Sequence, residues 1–314
     1  MRAEQIAVID LGTNTFHLLI ATTEGQTIET IHSEKIPVRI GKGGINHGFI
    51  AEDACERAIQ TMVHFRETID KYHVEKIHAT ATSAFRNARN GKELAQRIKD
   101  ITGISIDIIS GDREAELIYY GVKEAVGLGD ERSLIIDIGG GSVEFILANH
   151  SSVLWKKSFE IGGQRLMELF QKTDPIHPDE ITSLRTYLSE QLTPLREALQ
   201  QYPTNILVGS AGSFETLSEI DLKKKGFDFS IETQKEYELL LHDFHEIYED
   251  LIRKEREHRM KIPGMIELRV DMIVVAVVLI HFILVEFNMN RLRVSTYSLK
   301  EGVMSRIIRG ESII

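Results

Sequence analysis

Cysteine is almost missing from this chain: Cys55 is the single one in 314 residues. That excludes an intramolecular disulfide and a cysteine-rich zinc module, and it fits a reduced, cytoplasmic setting. Positive charge is also scarce. Against 47 Asp and Glu there are 37 Lys and Arg, a formal net charge of −10. A broadly basic nucleic-acid-binding surface is therefore not expected. Long apolar runs are absent too. The most apolar stretch, residues 272–285, has His281 inside it and Asp271 and Glu286 at its edges. A membrane-spanning helix needs about 20 apolar residues, so this stretch reads as a buried core helix and no membrane partner is expected. The N-terminal apolar patches are interrupted by Asp10 and Asn14, and no secretory-type cleavage site follows them. With 23 glycines and 6 prolines the chain is not fibrous or low-complexity, and 42% hydrophobic residues is too many for disorder.

What is present is alternation. At roughly 150 residues per domain the length suggests two domains. Residues 6–9 and 17–21 read as strands around a tight turn, with further strands at 27–32 and 36–40. Apolar positions Ala54, Ala58, Ile59, Met62, Val63 and Ile69 recur at near-helical spacing over 52–72. A strand at 76–80, a helix at 91–99, a strand at 104–109 and a helix to about 125 follow, an α/β order with a mixed sheet. The pattern then restarts with strands at 133–138 and 143–148. Helices dominate from 165 to about 200, a strand falls at 205–208, and helices are expected at 214–221, 233–261 and 267–287, before a strand at 291–294. Laid side by side without gaps, AVIDLGTNTFHLLIA (7–21) stands over LIIDIGGGSVEFILA (134–148). Asp10 falls on Asp137, Gly12 on Gly139 and Thr15 on Ser142, always 127 residues apart. A repeat of domain size follows, with units at 1–126 and 127–296.

Three loops share one design, an apolar strand followed by small residues. They are Gly12-Thr13-Asn14-Thr15, Gly139-Gly140-Gly141-Ser142 and Gly209-Ser210-Ala211-Gly212-Ser213. Glycine allows close backbone approach, and converging N–H groups with Ser and Thr hydroxyls form an anion nest suited to phosphate. Each loop read singly is equally a tight turn at a sheet end. The repeated aspartates Asp10 and Asp137 would repel phosphate unless a divalent cation sits between them, or they cap the turns. Arg86 follows the small-residue run 81–85, and a guanidinium there would grip phosphate in two-pronged fashion or make a surface ion pair.

A duplicated domain with such Asp-x-Gly hairpins resembles the superfamily of actin, Hsp70 and sugar kinases, with ribonuclease H-like α/β domains and mixed sheets flanking a central cleft. Within it, the chain is similar to the exopolyphosphatase / guanosine pentaphosphate phosphatase family. The resemblance rests on Asp10-Leu11-Gly12-Thr13-Asn14-Thr15-Phe16-His17, Ala81-Thr82-Ser83-Ala84-Phe85-Arg86, Ile109-Ser110-Gly111-Asp112-Arg113-Glu114-Ala115 and Asp137-Ile138-Gly139-Gly140-Gly141-Ser142-Val143-Glu144. Gly209 to Ser213, Arg269-Val270-Asp271 and Leu299-Lys300-Glu301-Gly302 complete it in the family's order. The resemblance implies hydrolysis of a terminal phosphoanhydride, in polyphosphate first and at the 5′-phosphate of guanosine pentaphosphate second. It implies that Glu114 is the catalytic glutamate, acting as base or water positioner, and that Asp137 and Glu144 coordinate Mg²⁺, partly through water. It also implies a short two-domain form whose segment 297–314 returns to the first domain; a homodimer stays open.

Two residues depart from that pattern. Arg113 stands where many members carry an acid; beside the base it would lower the base's pKa or help hold a polyanion. Thr296 stands where some members have an acid. Arg39 and Lys42 are candidates to face the cleft. The basic runs at 223–225 and 253–261 read as solvated helix faces, and His242 with His245 as an incidental pair. Two other functions compete. A small-molecule kinase of the superfamily would need an adenosine pocket, for which loop 209–213 is the candidate. A non-catalytic alarmone sensor is disfavoured by intact Glu114, Asp137 and Glu144.

Overall fold

The computed structural model describes residues 4–24 and 27–311. Its first sheet contains β1 (Glu4–Leu11), β2 (Thr15–Glu24), β3 (Thr27–Pro37), β4 (Lys76–Ala81) and β5 (Ile106–Ile108) in the order β3-β2-β1-β4-β5. The second contains β6 (Ser133–Ile138), β7 (Val143–Ala148), β8 (Val153–Phe159), β9 (Ile206–Ser210), β10 (Glu236–Glu238) and β11 (Arg291–Ser295), ordered β10-β11-β9-β6-β7-β8. Each sheet opens with an antiparallel three-strand meander and then adds two parallel strands on the far side of its first strand. The mixed α/β sheets expected from the alternation are thus present, and β10 is an addition to the second one.

The repeat extends to the turns. Gly12 N–H donates to the Thr15 carbonyl at 3.1 Å, and Gly139 N–H to the Ser142 carbonyl at 3.0 Å. Across the first hairpin Asp10 pairs with His17, and across the second Asp137 pairs with Glu144. A Cβ on either leading glycine would come within about 3 Å of that carbonyl, so the tight turn requires glycine.

Some elements differ from the sequence reading. Residues 27–40 do not form two strands. One strand runs to Pro37, and the chain then folds back as Val38 and Arg39 donate to the Asn14 carbonyl at 3.0 and 2.8 Å. Proline brings no N–H to continue the ladder. The expected helix at 233–261 is broken. Its first part forms β10, where Glu236 and Glu238 meet Arg293 and Arg291 of β11 at 2.6 and 2.8 Å, and helices follow only at Leu241–Arg253 and Arg256–Arg259. Strand β8 was not anticipated, because its central Lys156 and Lys157 hide the alternation.

Two apolar cores lie on the outer faces of the sheets. One packs helices Glu52–Lys71 and Gly91–Thr102 on the first sheet. The other surrounds helix Ile273–Glu286, which is apolar on nearly every side and therefore buried. Among the described residues no helix is long and apolar enough to cross a membrane. A third core lies between the sheets. Its residues are Ile6 and Val8 from β1, Ile135 and Ile146 from β6 and β7, and the inner sides of helices Gly111–Ala125 and Leu299–Ile308. The returning C-terminal segment thus packs in a layer shared by both sheets; its last three residues, 312–314, lie outside the described residues.

That layer closes through two glycines. A Cβ on Gly302 would sit 1.8 Å from the Leu117 carbonyl oxygen, and one on Gly121 would sit 2.0 Å from that of Ser298. Both obstacles are backbone, so neither can rotate away. Gly302→Ala gains about 1 kcal/mol of helix propensity, yet overpacking against a fixed backbone costs about 1–3 kcal/mol or more. We expect Gly302→Ala to lose about 2 kcal/mol in urea denaturation, while Gly127→Ala, with nothing within 4 Å of its added carbon, is near neutral. Equal midpoints for the two variants would contradict this packing.

Candidate functional site

The cavity between the sheets is lined by both hairpins and by the first turns of three helices. Ser110 caps helix Gly111–Ala125 by accepting from the Arg113 N–H at 3.2 Å, which places Glu114 in the first turn, facing the cavity. Helix Leu299–Ile308 starts with a capping box: the Ser298 N–H donates to Glu301 at 2.9 Å, and Ser298 and Lys300 line the cavity. Helix Gly212–Lys224 begins after Ala211, whose φ of +71° is unusual for a residue with a Cβ. A helix N-terminus directs free N–H groups and positive potential at an anion.

Four carboxyl groups gather here. Glu114 is 7% exposed and accepts from Arg86 Nη1 at 2.8 Å. Burial pushes its pKa up to about 7 against the opposing Arg86 charge. Asp10 is pushed to about 7 by burial, with Lys300 opposing and Asp137 reinforcing, and its Oδ1 is buried without a hydrogen-bond partner. Asp137 Oδ2 accepts from the Ser210 hydroxyl at 2.9 Å and also from the Ser298 hydroxyl; burial still raises its pKa. Glu144, opposite Asp137 across the hairpin, accepts from Ser158 at 2.6 Å. Burial, and then the charges of Glu114 and Asp137, hold it well above the ordinary range.

Cations occupy the same cavity. Lys300 pairs with Glu301 at 2.7 Å, and Lys35 reaches across to Glu215 at 3.6 Å. Arg269 lies so close over Gly212 that a Cβ there would meet its Nη2 at 1.9 Å, and its Nε is buried without a partner. His17 is kept neutral by burial and by the nearby Lys300, Lys35 and Arg269.

Of the residues singled out from sequence, Gly12, Thr13, Asn14, Thr15, Gly139, Gly140, Gly141, Ser142, Ala211, Gly212, Glu114 and Asp137 line the cavity. Arg86, Glu144, Gly209 and Ser210 stand behind that lining. Arg86 holds Glu114, Ser210 holds Asp137, and Gly209 is packed against the Phe214 ring. The cation beside Glu114 is therefore Arg86. Arg113 pairs with Glu116 at 3.2 Å. The Thr296 hydroxyl donates to the Gln234 carbonyl at 2.7 Å, a structural role. Arg39 and Lys42 line an adjoining crevice rather than the main cavity.

Most cations of the two basic runs are held in ion pairs. Lys223, Lys224 and Lys225 meet Glu219, Glu246 and Asp221, and Arg259, only 1% exposed, meets Asp174. The sequence reading assigned no site role to Lys35, Glu215, Arg269 or Lys300. Arg269 and Lys300 do fall inside segments that carried the family resemblance. Lys35 and Glu215 had no local signal.

The two sides of the cavity touch. A Cβ on Gly140 would lie 2.3 Å from Asn14 Nδ2, and one on Gly141 would lie 2.5 Å from the Ser83 hydroxyl. Glu160 accepts from Ser83 at 2.7 Å and from Arg165 at 3.0 Å, and its other oxygen lies 3.4 Å from Arg86. Among the described residues, no group of three or more His, Cys, Asp or Glu could hold a metal ion by itself.

Known proteins share this sequence pattern and this fold. A family model described as the Ppx/GppA phosphatase family matches residues 19–311. The chain is similar to a crystal structure of an exopolyphosphatase from Cytophaga hutchinsonii, with 44% identity, a TM-score of 0.96 and 99% of each chain covered. It also shares the fold of the Ppx/GppA family member from Aquifex aeolicus, at 24% identity and a TM-score of 0.82 over 98% of this chain and 99% of that one.

The raised carboxyls set a pH dependence. In the folded state Asp10 and Glu114 keep protons up to about pH 7, whereas ordinary values are 3.8 and 4.5. The stability they allow is fully present below about pH 4 and is lost as pH rises through 7, at about 1.4 kcal/mol per unit per group. Asp10→Asn is uncharged throughout, so its stability should fall less than wild type between pH 5 and pH 8. Urea denaturation at the two pH values, with divalent cations chelated, measures this. Parallel losses in the two proteins would contradict the burial of a proton on Asp10.

Proposed function

The chain belongs to the Ppx/GppA phosphatase family, and from that premise we propose that it releases terminal orthophosphate from inorganic polyphosphate in this cavity. The observation that carries the reading is Glu114. It is a buried carboxyl with a pKa near 7, at a helix N-terminus, facing two glycine hairpins. A general base works best with a pKa near the operating pH, and phosphoryl transfer otherwise needs positioning and charge neutralisation.

In this reading the N–H groups of the hairpins at 12–15 and 139–142, with the N-terminus at Ala211 and Gly212, hold the terminal phosphate. Arg86 fixes one oxygen of Glu114, leaving the other to orient a water. The water oxygen bonds to the terminal phosphorus, the bond from that phosphorus to its bridging oxygen breaks, and Glu114 takes a proton from the water. The chain leaves one phosphate shorter. Lys300 and Arg269 offset the negative charge of the substrate.

The residues also fit a divalent cation. Asp10, Glu114 and Asp137 line the cavity with Glu144 behind them, at a mutual electrostatic cost, and one Asp10 oxygen has no partner. Asp137 and Glu144, with that Asp10 oxygen, would hold Mg²⁺ largely through water, since no three acids stand close enough to bind it alone. When bound, the ion supplies charge neutralisation on the phosphate oxygens. The 5′-phosphate of guanosine pentaphosphate offers the same bond and is the competing substrate. Among the described residues no Phe, Tyr or Trp lines the cavity to stack a purine, the one ring there being the His17 imidazole, which favours polyphosphate.

The test is phosphate release from both substrates, with Mg²⁺ and with chelator. Glu114→Gln should lower kcat by about 100-fold or more while the melting temperature stays level or rises, because a buried acid is removed. Full activity in that variant, or equal turnover without divalent ions, would overturn the corresponding part of the reading.

A further inference from the structure

The catalytic cavity has a neighbour. Asn14 lines both the cavity and a crevice bordered by Arg39, Lys42, Gln164, Leu268 and Met272. That crevice shares Met167 and Asp271 with an open trough that Lys172 also lines. The three spaces thus adjoin in order, the first two sharing Asn14 as a wall. Where the first meets the second, the Asn14 amide N–H donates to the Met272 sulfur at 2.8 Å. Asn14 is 5% exposed, and its Oδ1 is buried with no partner.

The charge of the crevice is one-sided. Arg39 and Lys42 are exposed, and neither makes an ion pair with any of the described residues. The acid in the crevice, Asp271, is already paired with Arg256 at 2.9 Å. The buried Gln164 adds an amide that bonds Glu168 at 2.9 Å. Two cations therefore line a crevice whose one carboxylate, Asp271, is already paired, while the trough beyond adds the carboxylates Glu168 and Asp174 alongside Lys172 and Arg259.

The backbone ties these cations to the site. Arg39 has φ of +52°, a conformation a non-glycine residue adopts at a cost. It is held there because its N–H donates to the Asn14 carbonyl at 2.8 Å, and two residues later Gly41 N–H donates to Thr13 at 3.1 Å. The segment carrying both cations hangs directly from the first glycine hairpin. A phosphate held by that hairpin fixes its distance to Arg39 and Lys42.

We propose that this crevice is the path of the polyphosphate chain. With the terminal phosphate in the cavity, the following phosphates pass Asn14 and Met272 and lie against Arg39 and Lys42. This rests on the reading of the cavity as a phosphoanhydride hydrolase site and names where the rest of its substrate goes. The two cations then set a preference for long chains over short ones, because tripolyphosphate ends near the cavity and a long chain does not.

The test uses the double variant Arg39→Gln/Lys42→Gln in a Glu114→Gln background, so that bound chains are not hydrolysed. Equilibrium binding is measured for long-chain polyphosphate, tripolyphosphate and guanosine pentaphosphate, and thermal melting confirms that the fold is kept. Kd for the long chain should rise about tenfold at low ionic strength and the loss should shrink with added salt, with a clearly smaller change for tripolyphosphate. Equal weakening for long and short chains, no weakening at all, or weakening confined to guanosine pentaphosphate would each overturn the proposal. The last result would assign the crevice to a nucleoside. Absence of phosphate release by the wild type would instead sink the hydrolase reading and leave the binding comparison intact.

Discussion

The close approach of two helices through Gly121 and Gly302 governs how the site is assembled. Helices Gly111–Ala125 and Leu299–Ile308 lie in one layer between the sheets, and each meets the other's backbone where a Cβ would collide. Both begin at the cavity. One delivers Glu114 in its first turn, and the other delivers Ser298 and Lys300. If the crossing were wider, Glu114 and Lys300 could not line the same cavity. The same layer buries Ile6 and Val8 of one sheet and Ile135 and Ile146 of the other. The burial that joins the two repeats is thus the burial that aims the site residues.

The second constraint is electrostatic. Four carboxyls and several cations share a small polar cavity, a costly arrangement unless charges are paired or neutralised. The structure meets it by sorting them. Glu114 has Arg86, Asp137 has two serine hydroxyls, and Glu144 has Ser158. Burial, reinforced by the charges of Lys300, Lys35 and Arg269, leaves His17 neutral. A net charge of −10 describes the outer surface and not this interior. Backbone N–H groups, helix N-termini and a few fixed cations give such an interior positive potential without a basic exterior.

This division explains what was legible in the sequence. Local geometry leaves local signals. The tight turns at Gly12 and Gly139 need glycine whatever surrounds them, and their 127-residue spacing exposed the repeat, the sheets and most of the cavity lining. The first-turn position of Glu114 was readable for the same reason. Roles that depend on long-range contacts were not readable. Nothing near Lys35 announces Glu215, 180 positions later in the chain. The 233–261 segment looked helical because its composition is charged, yet Arg291 and Arg293 draw part of it into the sheet. Arg113 looked important through adjacency to Glu114, but helix geometry turns it toward Glu116.

Arg86 shows how closure and chemistry are coupled. Its guanidinium bonds the Ile109 carbonyl at 3.1 Å and Glu114 at 2.8 Å, and it lies 3.4 Å from Glu160, which also takes the Ser83 hydroxyl. Ser83 is the residue that Gly141 of the second hairpin presses against. Arg165 completes the ring by donating to Glu160, to the Gly141 carbonyl and to the Ile45 carbonyl of the other side. Separating the hairpins would pull Ser83 from Gly141 and Glu160 from Arg86 together. Arg86 would then keep Glu114 and the Ile109 carbonyl and lose Glu160. Arg86 thus holds Glu114 through contacts on its own side, at the Ile109 carbonyl, and reaches Glu160 on the other, so one guanidinium links the direction of the Glu114 carboxyl to the contact between the two glycine hairpins.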